Sequence, residues 1–470
     1  MTMRSWKPSL ILLITALVAV CGPTWADDGD ATGRWLEGEL LLAWATPEAG
    51  SQAPVVVAAA LRHDDGSITD LAFDPSVLAS VGGPMAAAGA RVRVLVAGAT
   101  PPEQPAETVL DIDRLPGDDT AVEASGSYPY ASLMCKFSDV GLPSEGLSYF
   151  QGMYGTAWPG LDHYWRRQSY GQVDVVGSTA AGWFTLPHTQ QYYVDLSSGG
   201  NYTPMLTALY DDCTAAASGS VNVNDYEGVN LMFNDTFGPY AWGGWGGVTW
   251  EPPWGWRNVG VIGHEMGHAF GLPHSNNADG DGDPYDNPWD VMSDTWNYAV
   301  HDGTYGTVGK HTISYHKNAL GWIAPALKAE VSSAGIFHFT IDHLTLETTS
   351  NLRMVTVPIA GTNRWYTVEV RDQVSYDGNL PGFAVIIHEI NPSRSEPAWL
   401  VDAENPSNGA DAGAMWLPGE CFEDTPNEIR ICVESVTTEG YVVEVAYGDW
   451  FGIFSDRFES GDASAWSGSN

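Results

Sequence analysis

The chain has 470 residues, with 20 Lys and Arg against 58 Asp and Glu and a formal net charge of −38. A surface so negative repels phosphate backbones, which excludes nucleic acid as a partner. The length suffices for two or three domains.

Arg4 and Lys7 precede an apolar run at residues 10–20, too short to span a bilayer. It reads as a signal peptide over residues 1–26, with Thr24, Trp25 and Ala26 before cleavage at Asp27. Val20 stands where lipidation of Cys21 would need a small residue, so no lipid is expected. Losing Arg4 and Lys7 leaves 18 basic against 58 acidic residues, a net charge of −40. No later run of about 18 apolar residues offers a membrane span, so a secreted, extracellular product is expected, without a membrane once the signal is cleaved. Cys135, Cys213, Cys421 and Cys432 survive cleavage. Three connectivities are open, and proximity favours Cys135 with Cys213 and Cys421 with Cys432.

Residues 27–126 read as a small β domain with strands at 37–44, 53–61, 67–73 and 91–97. Preceding the rest, it suits an inhibitory propeptide or an accessory domain equally well. It holds no cysteine, which rules out a thiol latch on a metal. His63, Asp64 and Asp65 read as a solvated turn before Gly66. Residues 99–105 and 116–126 are linker-like, placing a boundary near 126.

Strands are expected at 131–137, 172–176, 182–186 and 229–234, and helices at 160–169 and 202–217, a mixed sheet-and-helix lobe. Trp242, Trp245, Trp250, Trp254 and Trp256 follow, interleaved with Gly243, Gly244, Gly246 and Gly247. They suit packing of large aromatics, a cleft edge on which a peptide pairs as a strand, or sugar stacking.

Residues 258–274 read NVGVIGHEMGHAFGLPH. His264 and His268, four apart, share one helical face. Gly271 can end the helix with φ > 0 and bring His274 round as a third ligand. Three histidines form a zinc set with one position open for water, whose pKa the metal lowers to about 7. Glu265 is placed to accept that proton and pass it to a leaving amine.

Asp279, Asp281 and Asp283 then alternate, with Asp290 at the twelfth position. Pro284 and Asp290 replace the glycine and glutamate of an EF-hand, so a calcium (Ca2+) site of another kind and a solvated acidic loop both stay open. Residues 309–320 read as a closing helix with His311 and His316 on its surface. Strands at 336–341, 352–357, 365–370, 383–390, 430–436 and 441–445 predict a C-terminal β-sandwich-like domain. Glu369, Arg371, Asp372 and Asp377 read there as strand-end and turn groups, and His388 as a core histidine. Residues 449–470 are a polar tail.

The HExxHxxGxxH stretch, with Met292 in the turn at residues 289–293, resembles the zinc signature and methionine turn of the metzincin metallopeptidases. YAWGGWGG at 240–247, YDNPWDVMS, LGW at 320–322 and YTVEVRDQ extend the likeness to gametolysin-type peptidases and their bacterial relatives, over about residues 128–390. The resemblance implies an α+β chain. Its metzincin-like catalytic domain, a mixed sheet plus helices, occupies 127–325 between the N-terminal β domain and the C-terminal domain at 326–448. It implies a secreted zinc (Zn2+) endopeptidase acting on a polypeptide or glycoprotein, with His264, His268 and His274 on zinc, Glu265 as base and Met292 beneath the metal. Asp294 stands where some metzincins carry a tyrosine ligand, and Tyr298 is off that spacing, so neither is assigned. A catalytically retired binding or adhesin module and a zinc hydrolase directed at glycoprotein or cell-wall material remain as alternatives; the intact Glu265 argues against the first.

Overall fold

The computed structural model describes residues 33–51, 53, 55–97, 106–116, 124–194, 204–404 and 407–448. The expected signal peptide, most of both linkers and the polar tail lie outside them. The architecture is mixed α and β.

The N-terminal unit consists of β1 (Gly33–Pro47), β2 (Val57–Arg62), β3 (Ile68–Ala72), the short helix α1 (Pro84–Ala87), β4 (Arg91–Ala97) and β5 (Glu107–Arg114). Alternation along β1 sends side chains to two faces. Leu40, Leu42 and Trp44 pack with Val92, Val94 and Val96 of the unit's own core. Leu41, Ala43 and Ala45 enter the next core along the chain.

That next layer contains β6 (Gly126–Ser127), β7 (Tyr130–Lys136), α2 (Leu147–Gly152), α3 (Leu161–Gln168), β8 (Val173–Asp174), β9 (Thr179–Thr185), α4 (Gln190–Tyr193) and α5 (Leu206–Ala217). It continues through β10 (Gly228–Phe233), β11 (Tyr240–Gly244), β12 (Val248–Glu251), α6 (Pro253–Trp256) and α7 (Val259–Ala269). Strands β9, β7, β10 and β12 are parallel neighbours, and β11 closes their edge antiparallel to β12. Strand β1 then pairs antiparallel with β11, so the N-terminal unit and this layer share one ten-stranded sheet, in the order β2-β3-β5-β4-β1-β11-β12-β10-β7-β9. The Cys135–Cys213 disulfide ties β7 to α5, as proximity predicted.

After α7 come β13 (Ser275–Asn276), β14 (Val300–Asp302), β15 (Gly306–Val308) and α8 (Ser314–Ala319), then β16 (Lys328–Glu330), β17 (Gly335–Asp342), β18 (Met354–Pro358), β19 (Trp365–Arg371) and β20 (Ala384–Ile390). The last strands are β21 (Ala398–Leu400), β22 (Cys421–Asp424), β23 (Ile429–Val436) and β24 (Gly440–Tyr447). Two sheets, β13-β21-β20-β19-β18-β16 and β17-β24-β23-β22, share one apolar core built on Val355, Val368, Val385, Ile431 and Val443. Cys421 and Cys432, opposite each other on β22 and β23, are disulfide-bonded. Strand β13 comes from the loop directly after His274 and pairs with β21, so this sheet reaches the metal-ligand segment.

The expected helix over 309–320 is shorter than its pattern. Residues 309–313 carry no helix, and the Lys310 carbonyl accepts from Tyr164 Oη and Gln168 Nε2, each at 2.8 Å, leaving a helix only at 314–319.

Candidate metal centre

Every residue of α7 is buried, which explains an all-apolar helix broken only by Glu265 and the histidines. Its backbone turns back at Gly271, where φ is +87°, a region costly for any residue with a Cβ. The three histidine Nε2 atoms consequently meet: His264 to His268 is 2.9 Å, His268 to His274 3.1 Å and His264 to His274 3.3 Å. The Val291 carbonyl accepts from His264 Nδ1 at 2.5 Å and the Leu272 carbonyl from His268 Nδ1 at 2.7 Å. A carbonyl can only accept, so these Nδ1 atoms carry the protons and both Nε2 lone pairs point inward.

The lone pairs of His264 and His268 thus face His274 Nε2, and the three nitrogens form a donor set that a cation can bind. Imidazoles bound tetrahedrally at about 2.0–2.1 Å lie about 3.3 Å apart, close to the observed triangle. The buried triad can therefore bind a metal ion.

Met292 packs on α7: its thioether fills the space that a side chain at Gly267 would occupy. Asp290 fixes this turn. Its carboxylate accepts from Met292 N at 3.0 Å, from Ser275 Oγ and Thr312 Oγ1 at 2.8 Å each, and faces His316 Nδ1 at 3.1 Å. It is wholly buried, which removes it from the calcium-loop reading. In the acidic loop, Asp279, Asp281 and Asp286 bring one oxygen each within 4.8 Å of one another, whereas Asp283 stands outside that group. The alternation has a local cause: Asp279, Asp281 and Asp283 each accept from the amide two residues on, giving consecutive Asx turns.

Glu265 is fully buried and neither carboxylate oxygen has a hydrogen-bond partner. Burial first, then the nearby charge of Glu251, push its carboxyl well above the usual range; Thr46 lies close enough to oppose this slightly, outside ordinary hydrogen-bond geometry. Glu251 of β12 is likewise buried and unpartnered, and burial raises it to about 8. Sequence reasoning missed Glu251, although a lone acid among tryptophans was a visible signal. It also missed Tyr285, whose hydroxyl donates to the Ala45 carbonyl and whose ring edges His274 with centroids 4.8 Å apart.

The tryptophan run resolves into packing: Trp242, Trp250 and Trp256 are fully buried. Gly243, Gly244 and Gly247 serve close approach. A Cβ at Gly243 would collide with the Glu265 carbonyl. Gly243→Ala is accordingly expected to destabilise the chain by about 1–3 kcal/mol, measured by denaturant unfolding; an unchanged midpoint would contradict the packing of α7 on β11.

His311 and His316 are not surface groups: both are fully buried, with Lys310 and Lys317. Acidic partners on the Met292 turn and the C-terminal sheet make this tolerable. Asp290 faces His316, and Asp294 faces Lys310 at 3.5 Å. Glu369 accepts from Ser314 N at 2.6 Å, and Arg371 pairs with Asp377 at 2.7 Å. Glu369, Arg371 and Asp377 are thus buried brackets between two layers, unlike half-buried Asp372. His388 is buried as expected, Nε2 facing Asn287 Nδ2 at 3.1 Å. Tyr298 is exposed.

Burial holds the imidazoles of His264, His268, His274, His311 and His388 below their ordinary range, His264 at about 4 and His388 at about 3. The unfolded chain therefore takes up protons first as pH falls below about 6.5, and stability is lost between there and about 4. His264 alone corresponds to about 3 kcal/mol in the metal-free chain. Calorimetry of that chain should show the melting temperature falling steeply across this window; a flat profile would mean these histidines are solvated.

Comparison with protein-family models, curated proteins and solved structures returns no match for this chain. Among the described residues no helix is long and apolar enough to cross a membrane.

Proposed function

We propose that the protein is a secreted zinc endopeptidase of the metzincin type, similar to the gametolysin-type peptidases. The observation that carries this reading is the convergence of three inward-facing Nε2 atoms beside a buried carboxyl that has no partner of its own. Three imidazoles in a dry pocket suit zinc, which when bound polarises a carbonyl and acidifies a water. Glu265 accepts the water proton and returns it to the leaving amine. The Val291 and Leu272 carbonyls hold two of the imidazoles in the required tautomer. Strand β11, whose outer side is occupied by β1, is the strand along which an extended polypeptide would pair once that side is free. An unpartnered buried carboxyl is costly, and a retired binding module gains nothing by keeping one. Two disulfides suit an exported chain.

The test is casein digestion by the purified chain before and after brief limited proteolysis, with chelator-treated and Glu265→Ala controls. Equal behaviour of wild type and Glu265→Ala in both conditions would sink the proposal.

A further inference from the structure

The metal centre is sealed. His264 and Glu265 are 0% exposed, His268 1% and His274 2%. Much of the seal is β1. Its residues 43–47 run antiparallel along β11, Ala43 opposite Gly244, Trp44 opposite Gly243 and Pro47 opposite Tyr240. The register is fixed at both ends, Trp245 N donating to the Leu42 carbonyl at 2.8 Å and Glu48 N to the Pro239 carbonyl at 3.3 Å. Alternation turns Trp44 and Thr46 toward α7. The Trp44 indole stacks on His268, with centroids 5.0 Å apart and planes 12° from parallel. Thr46 lies by Glu265. From the opposite side of the strand, Tyr285 Oη donates to the Ala45 carbonyl and Ala45 N donates to the Val56 carbonyl at 3.0 Å.

A polypeptide substrate needs the same edge and the same approach to the histidines and Glu265. Resting on the endopeptidase reading, we propose that residues 43–47 of β1 are a built-in strand plug which keeps the enzyme latent until the N-terminal unit is displaced or cut away. The plug places no ligand on the metal, since neither Trp44 nor Thr46 is a ligand type; it works by strand pairing and by the indole over His268. Gly244 belongs to this contact, because a Cβ there would strike the Leu42 carbonyl. The plug also models the bound substrate: an extended segment, antiparallel to β11, with a large flat side chain accepted against His268.

Two measurements on the full exported chain test this. In the first, wild type loaded with zinc is incubated with casein while its own N-terminus is sequenced. Turnover should be absent while the chain still begins at Asp27 and should appear only after the N-terminus has moved beyond residue 114. Turnover at the trimmed chain's rate with residues 33–47 still attached would overturn latency and leave the peptidase reading standing. A trimmed wild type no faster than trimmed Glu265→Ala would overturn the peptidase reading instead.

The second measurement needs no activity. In a Glu265→Ala background, which cannot trim itself, zinc release to a chromogenic chelator is timed. Trp44→Ala should accelerate release at least about tenfold, from the loss of a buried, stacked ring. Because Trp44 also anchors the N-terminal core, Tyr285→Phe is the second variant. It removes only the hydroxyl holding Ala45 and should accelerate release about fivefold. Release at the parent rate in both variants would overturn the plug whatever the enzyme's substrate.

Discussion

Glu265→Gln is expected to lower casein hydrolysis by the trimmed chain by about 10²–10⁴-fold, the usual contribution of a positioned proton acceptor, with zinc content unchanged. The substitution keeps the volume of a fully buried side chain, so packing against β11 is preserved. It removes the only function that the surroundings leave to this carboxyl, since neither oxygen is engaged structurally. Hydrolysis and elemental analysis on the same preparation separate the possibilities. Loss of zinc along with activity would give Glu265 a role in assembling the site, and retention of activity would defeat the endopeptidase reading.

The second large effect is on stability. Arg371→Leu should destabilise the chain by about 3–5 kcal/mol, because it breaks a buried ion pair from one side only. Arg371 donates to Asp377 through Nε at 3.0 Å and Nη2 at 2.7 Å, to the His311 carbonyl at 3.1 Å and to the Trp289 carbonyl. Without it, Asp377 and Glu369 are left as buried carboxylates with their main cation gone. Trp289 belongs to the turn that carries Met292, so zinc affinity should fall with stability. Adding Glu369→Gln to the Arg371→Leu chain should recover part of the loss by removing one of the two stranded charges. Denaturant unfolding measures both variants, and a change below about 1 kcal/mol in Arg371→Leu would mean that water reaches the network.

The histidine helix was legible because ligand chemistry dictates spacing: His264, His268, Gly271 and His274 have little freedom once three imidazoles must meet. Both disulfides followed from proximity, and the C-terminal strands from alternation. What escaped the sequence is partnership at long range. Arg371 looks like a strand-end charge until Trp289 and His311 are placed against it. His316 looks exposed until Asp290 faces it. Asp286, and not Asp283, joins Asp279 and Asp281 in the acidic loop, a grouping that the alternation alone does not reveal. Above all, residues 37–44 read correctly as a strand, but their partner on β11 lies some two hundred residues away, and a strand pattern never names its neighbour.

Because β1 lies between β4 and β11, it is an interior strand of a continuous sheet and not an added flap. Its departure would turn β11 from a paired strand into a bare rim of amide and carbonyl groups, the kind of edge on which chains stack into aggregates. On the latency reading, the N-terminal unit would also guard against self-association. A trimmed chain kept concentrated should be the less soluble form, as light scattering would show.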